Sequence, residues 1–319
     1  MRARKMAKIR AMTLVWGAFG LLWLAPVAFA QSEGADALLA AGKTAASREE
    51  YEAVLRTDPA NAAALRGEVA ASERLALDAR AAGRMDDALK ALLRAQGFAP
   101  HDARLLYDLG ILEDEMRLYR DADTTLEELE RQKPDDVMVL YAVARVKLDL
   151  GQLAPAEETM LAYLKLRPAD AGAHYGLGRV YQLGLQFDKA RAEFLRSVEL
   201  QPVQTEAYFE LGEIALGQGD FAGAIAEFQK TLERDPKHGG ALTGTGEAYF
   251  KQKQCAQAEA FLERAVAAAP EYQAGHYYLG LTLARLGRAE DSKRELELAT
   301  RLADEASKRE RTPIGLHPQ

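Results

Sequence analysis

The 319-residue chain is 48% apolar and 28% charged, which describes a soluble, foldable protein near the size at which one core gives way to several. With 41 Lys and Arg against 48 Asp and Glu its net charge is −7, a balance that repels phosphate backbones and disfavours a nucleic-acid partner. A single cysteine, Cys255, leaves no internal disulfide framework, so stability must come from packing.

In chain order, the first segment is MRARKMAKIR, with five basic residues and no acid. An apolar stretch from Ala11 to Ala25 follows, then Pro26 and the small-x-small run Ala28-Phe29-Ala30. This is the pattern of a secretory signal peptide over residues 1–30, cut between Ala30 and Gln31, and it directs the mature protein to the periplasm or beyond the cell. The alternative is an uncleaved N-terminal membrane anchor, because the apolar run is long for a signal core; after cleavage no stable membrane span is expected. No cysteine follows the cut, so a lipoprotein is not indicated. Cleavage leaves 36 basic residues against 48 acidic ones, a charge of −12, and removes both Trp16 and Trp23.

Residues 31–61 read as a degenerate helix pair acting as a cap. SREEYEAVLRTDP resembles a second helix with Tyr51 and Val54 in apolar places, and its partner is expected near Ala35 to Ala45. Beyond it, Pro100, Pro134, Pro168, Pro202, Pro236 and Pro270 recur every 34 residues, the mark of a repeat array. With each proline in the thirty-second place, seven repeats fill 62–306: 62–102, 103–136, 137–170, 171–204, 205–238, 239–272 and 273–306. Pro59 precedes Pro100 by 41 residues, seven more than the period, so the helix from Ala62 to about Ala82 is expected to gain two turns without rotating its buried face. Residues 307–319 turn polar and break at Pro313, as a solvated tail would.

Within the repeat, Gly110, Gly178, Gly212, Gly246 and Gly280 hold the eighth place, with Ala76 and Ala144 in the other two repeats. Ala122, Ala156, Ala190, Ala224 and Ala258 hold the twentieth, and leucine, methionine or phenylalanine the twenty-fourth. Antiparallel helices approach closely only where a side chain is nearly absent, so a small residue on one helix is expected to face a small residue on the other, with larger apolar groups beside them. Gly83, Gly151, Gly219 and Gly287 fit left-handed C-caps between the helices. Asn61, Asp102, Asp136 and Asp170 fit N-caps of the first helices, and the prolines end the second ones.

The pattern resembles the tetratricopeptide repeat family, whose first helix carries W-x2-L-G-x2-Y, followed by A-x3-F and a closing proline. Tyr208, Leu211, Gly212, Ala224, Phe228 and Pro236 match it, as do His174, Leu177, Gly178, Tyr181, Ala190, Phe194 and Pro202. The resemblance covers nearly all of 62–306 and implies an all-α fold, a right-handed α-solenoid of stacked antiparallel helix pairs. Tryptophan is missing from the fourth place throughout, and Asp304 replaces the last proline.

No H-E-x-x-H, G-x-x-x-x-G-K-[ST], G-x-S-x-G or paired-cysteine motif is present, so no catalytic, cofactor or metal site is expected. His174 and His276 share the fourth place three repeats apart and read as packed imidazoles; Cys255 reads as a small apolar filler at the seventeenth place. Function then belongs to a surface. The resemblance implies a groove lined by the first helices, mainly at the second, fifth, ninth, twelfth and thirteenth places. The fifth place supplies Tyr107, Tyr141, Tyr175, Phe209 and, after Thr243, Tyr277: a ladder able to anchor an extended peptide or helix, or else to cover the helix pairs. The ninth supplies Arg145, Arg179, Glu213 and Glu247, able to orient a dipolar ligand unless Arg145 pairs with Asp149, Lys251 with Glu247 and Arg179 with Glu213. The Lys and Asn pattern with which chaperone adaptors of the family clamp a peptide carboxylate is absent. The expected function is a non-enzymatic scaffold for a peptide segment or partner protein of a cell-envelope assembly; the alternative is an accessory in polysaccharide secretion or glycan handling.

Overall fold

The computed structural model describes residues 33–311, with side chains to 308, and every regular element among them is a helix. The segment expected to be a signal peptide, the expected cleavage point and the chain beyond 311 lie outside the described residues. No helix among the described residues is long and apolar enough to cross a membrane.

The cap is a helix pair, α1 over residues 33–40 and α2 over Thr44–Thr57. Tyr51 and Val54 are fully buried there, against Ala35 of α1 and Ala64 of the next helix. The first helices of the seven repeats are α3 (Ala62–Ala81), α5 (Ala103–Glu115), α7 (Val137–Asp149), α9 (Ala171–Leu183), α11 (Thr205–Gly217), α13 (Gly239–Lys251) and α15 (Gln273–Arg285). The second helices are α4 (Met85–Gln96), α6 (Tyr119–Gln132), α8 (Leu153–Leu166), α10 (Phe187–Leu200), α12 (Phe221–Arg234), α14 (Cys255–Ala268) and α16 (Ala289–Arg311). The first helix of repeat 1 has 20 residues where the others have 13, which is the two added turns that the Pro59–Pro100 spacing calls for. The described chain forms two compact bodies, divided within α8 between Thr159 and Met160. In each body, helices neighbouring in sequence pack as pairs, and each pair packs on the next, the arrangement of an α-solenoid.

Local chemistry sets these boundaries. Asn61, Asp102, Asp136 and Asp170 accept hydrogen bonds from backbone N–H groups of the first turn of α3, α5, α7 and α9. His238, which the sequence pattern does not single out, does the same for α13 through Nδ1, 3.0 Å from the Ala241 N–H. Between the helices of each pair one residue adopts positive φ, and the next donates to a carbonyl five residues back, as Arg84 does to Ala79 at 2.8 Å. Gly83, Gly151, Gly219 and Gly287 take this conformation with φ of 70° to 80°. Repeats 2, 4 and 6 take it with Arg117, Leu185 and Lys253, at φ 60°, 57° and 64°.

The close approach within a pair differs from the small-against-small contact expected. A Cβ placed on Gly110, Gly178, Gly212, Gly246 or Gly280 would fall under 3.0 Å from Leu126, Phe194, Phe228, Leu262 or Leu296 respectively, the twenty-fourth residue of the same repeat. The eighth place is therefore small because it receives a large side chain, while Ala122, Ala156, Ala190, Ala224 and Ala258 are buried to 0% exposure nearby. Pro134, Pro168, Pro202, Pro236 and Pro270 each stand two residues after the last residue of a second helix, where their rings bar helical geometry in the residue between.

Candidate functional site

In the N-terminal body the first helices α3, α5 and α7 lie side by side. Tyr107 is half-buried against the core of repeats 2 and 3, and burial, with Asp108 adding to it, raises its hydroxyl pKa. Tyr141 is likewise half-buried. Arg145 does not pair with Asp149 on its own helix; it reaches across to Asp114 of α5, whose side chain is 3% exposed. A buried carboxylate on the neighbouring helix offers a less hydrated partner than an exposed one a turn away, and burial still holds Asp114 above its ordinary range. Arg145 is thus engaged in joining two repeats.

In the C-terminal body the ring of Tyr175 packs on Phe194 at 5.6 Å between centroids, and Phe209 packs on Phe228 at 5.9 Å and on His238 at 4.8 Å. Phe194 and Phe228 are fully buried core residues, so these two rings of the ladder cover the helix-pair core with one face. Tyr277 is different: it is 42% exposed and meets Tyr278 edge-on at 5.3 Å. His174 and His276 are each held between a glutamate, Glu193 or Glu295 at 2.6 Å, and the carbonyl of Pro168 or Pro270. Both imidazoles therefore tie a first helix to its own second helix and to the preceding loop. Among the described residues, no group of three or more His, Cys, Asp or Glu side chains is placed to hold a metal ion.

The ninth-place charges of this body gather around carboxylates. Arg179 approaches Glu210 at 3.3 Å, and Gln182 donates to the same carboxylate at 2.7 Å. Glu247 accepts from Tyr278 Oη at 2.6 Å and lies 3.8 Å from Lys251, as the spacing of four allows. Glu213 stands between these groups, and burial pushes its pKa up to about 7, with Glu210 and Glu247 adding to the rise. Glu210 and Tyr272 carried no signal in the sequence pattern; they join the cluster because α11, α13 and α15 lie side by side, and Tyr272, 44% exposed, feels both Glu213 and Glu247.

A family model described as tetratricopeptide repeat matches residues 33–103, 107–171, 141–185 and 175–239, and a second model of that description matches 215–276. Similar solved structures include a tetratricopeptide repeat protein from Parabacteroides merdae, 17% identical with a TM-score of 0.54, the match covering 86% of this chain and 98% of that one. Cut9, solved in the APC/C hetero-tetramer Cut9–Hcn1, is 16% identical with a TM-score of 0.58, covering 89% of this chain and 53% of its own. MamA from Desulfovibrio magneticus is 24% identical with a TM-score of 0.50, covering 54% of this chain and 97% of its own. No curated protein sequence matches the chain significantly.

Proposed function

Because the chain belongs to the tetratricopeptide repeat family, we propose that it is a non-catalytic scaffold that holds a peptide segment of a partner protein against the first helices of its C-terminal body. The segment carries a lysine or arginine. The observation behind this reading is Glu213: a largely buried carboxylate whose charged neighbours that shift it, Glu210 and Glu247, both raise its pKa. A cation from a partner would relieve that repulsion, and the exposed rings of Tyr272 and Tyr277 supply apolar anchors near it. The same fold serves a protein assembly in Cut9, solved together with Hcn1. The N-terminal signal pattern makes the envelope the compartment in which such a partner would be met.

The test is fluorescence anisotropy with labelled peptides of equal length bearing lysine and arginine, or aspartate and glutamate. Basic peptides should bind and acidic ones should not. Glu213→Gln should weaken binding by about tenfold, equivalent to ~1.4 kcal/mol. Basic peptides that bind this variant unchanged would overturn the reading. A polysaccharide ligand predicts a different result, glycan binding that depends on Tyr277 and ignores Glu213. The compartment is checked by intact mass: exported protein should begin at Gln31 and lack tryptophan emission.

A further inference from the structure

Repeat 1 breaks the ladder. At its fifth place stands Glu73 rather than a ring, on the lengthened helix α3, and a cavity of about 420 Å3 opens between α3 and α5 there. The Glu73 side chain is only 8% exposed. Its Oε2 takes Arg104 at 2.8 Å, but its buried Oε1 accepts no hydrogen bond. A buried carboxylate oxygen without a donor is a standing free-energy cost that an incoming N–H group would remove. Arg80, also in the wall, is occupied by Glu115 at 2.6 and 2.7 Å. Arg74, one residue along from Glu73, is exposed in the same wall and pairs with no carboxylate among the described residues. Leu77 and Leu92 give the cavity an apolar side.

These groups set the ligand's chemistry. With Arg80 taken by Glu115 and Arg104 by Glu73, a simple cation leaves Arg74 unmet, while a simple anion leaves Oε1 unmet. A molecule with an ammonium at one end and a carboxylate at the other satisfies both demands, and the volume suits something of small-molecule size rather than a helix. We propose that this cavity binds a small zwitterion of the α-amino-acid type with an apolar side chain. Its ammonium donates to Glu73 Oε1, its carboxylate meets Arg74, and its side chain lies against Leu77 and Leu92.

A pH dependence follows. Burial pushes Glu73 up to about 7, opposed by Arg104 and reinforced by Asp108 and Asp102 of α5; Arg74 and Arg80 share its own helix, and α4 contributes the uncharged Leu92. An ammonium favours the ionised carboxylate, so affinity should rise between pH 6 and pH 8.

The experiment is isothermal titration of the full chain with L-leucine, N-acetyl-L-leucine, which lacks the ammonium, and isoamylamine, which lacks the carboxylate. L-Leucine should bind one to one, each single-ended analogue at least about tenfold more weakly, and the affinity for leucine should fall from pH 8 to pH 6. Arg74→Ala, which removes an exposed side chain, should weaken leucine about tenfold with Tm unchanged, and Glu73→Gln should weaken it as much. No binding of leucine at millimolar concentration, an analogue as tight as leucine, or an unaffected Arg74→Ala variant would each overturn the proposal. The cavity lies wholly in the N-terminal body, so its failure and that of the peptide reading at Glu213 are separate results.

Discussion

The turn between paired helices needs a left-handed residue in every repeat, whatever the sequence supplies. Four repeats supply glycine; Arg117, Leu185 and Lys253 are forced to positive φ by the turn's hydrogen bonds, such as Gln186 N–H to the Tyr181 carbonyl at 2.8 Å. A non-glycine residue bears about 1–2 kcal/mol of steric cost there, partly offset by the greater freedom glycine gives the unfolded chain. Leu185→Gly should therefore stabilise the protein by about 0.5–1 kcal/mol, read as a higher denaturant midpoint at unchanged m, and it also removes a side chain that is 74% exposed. A lower midpoint would mean that Leu185 makes a contact worth more than its strain. Glycine at four turns was legible in the sequence; strain at the other three was not, because a leucine or lysine in a turn looks like an ordinary exposed residue. The pairings of Arg145 with Asp114 and of Arg179 with Glu210 were not legible for a related reason. Spacing along one helix says nothing about which carboxylate the adjacent helix buries within reach, and Asp114 and Glu210 both lie on neighbours.

At the level of the element, the period was enough to place the helix pairs, because each boundary is marked by a cap, a turn or a proline. It did not tell which partner fills the glycine notch, since that depends on the rotation of one helix against the other. The geometry now shows Phe228 seated over Gly212 while Ala224 lies one turn before it, fully buried. Ala224→Leu should force α11 and α12 apart at a cost of about 1–3 kcal/mol, the usual range for overpacking. In a stack stabilised by neighbour-to-neighbour interfaces the damage should stay local, so amide exchange should quicken first over Thr205–Arg234 and leave α5 and α6 of the N-terminal body protected. Uniform acceleration along the chain would point to a single cooperative core instead.

Over the whole molecule, the least expected feature is the number of carboxyl groups held above their ordinary range. Glu68, Glu73, Glu113 and Glu213 are each pushed up to about 7, burial being the largest cause in all four. The unfolded chain releases these protons near the ordinary glutamate value of 4.5, whereas the folded chain keeps them until about 7. Between those values the native state binds more protons than the unfolded state, so stability must fall as pH rises through that window. Asp170, whose pKa is depressed, acts in the opposite direction only at more acidic pH, below the window. Calorimetry should then give a higher Tm at pH 5.5 than at pH 8, the reverse of a protein whose buried carboxylates are well paired. Three of the four groups lie in the N-terminal body, so the shift should be concentrated in its amide-exchange protection. Glu68→Gln is the decisive variant. Its carboxyl is fully buried, with Oε1 bound by Ser72 at 3.0 Å and Oε2 unpartnered, and the amide keeps the shape while removing the charge. It should raise Tm at pH 8, change it little at pH 5.5, and so narrow the difference between the two. A wild-type Tm that rises from pH 5.5 to pH 8 would mean that the buried carboxylates are ionised and stabilised by the arginines around them, Arg48 and Arg94 in the case of Glu68.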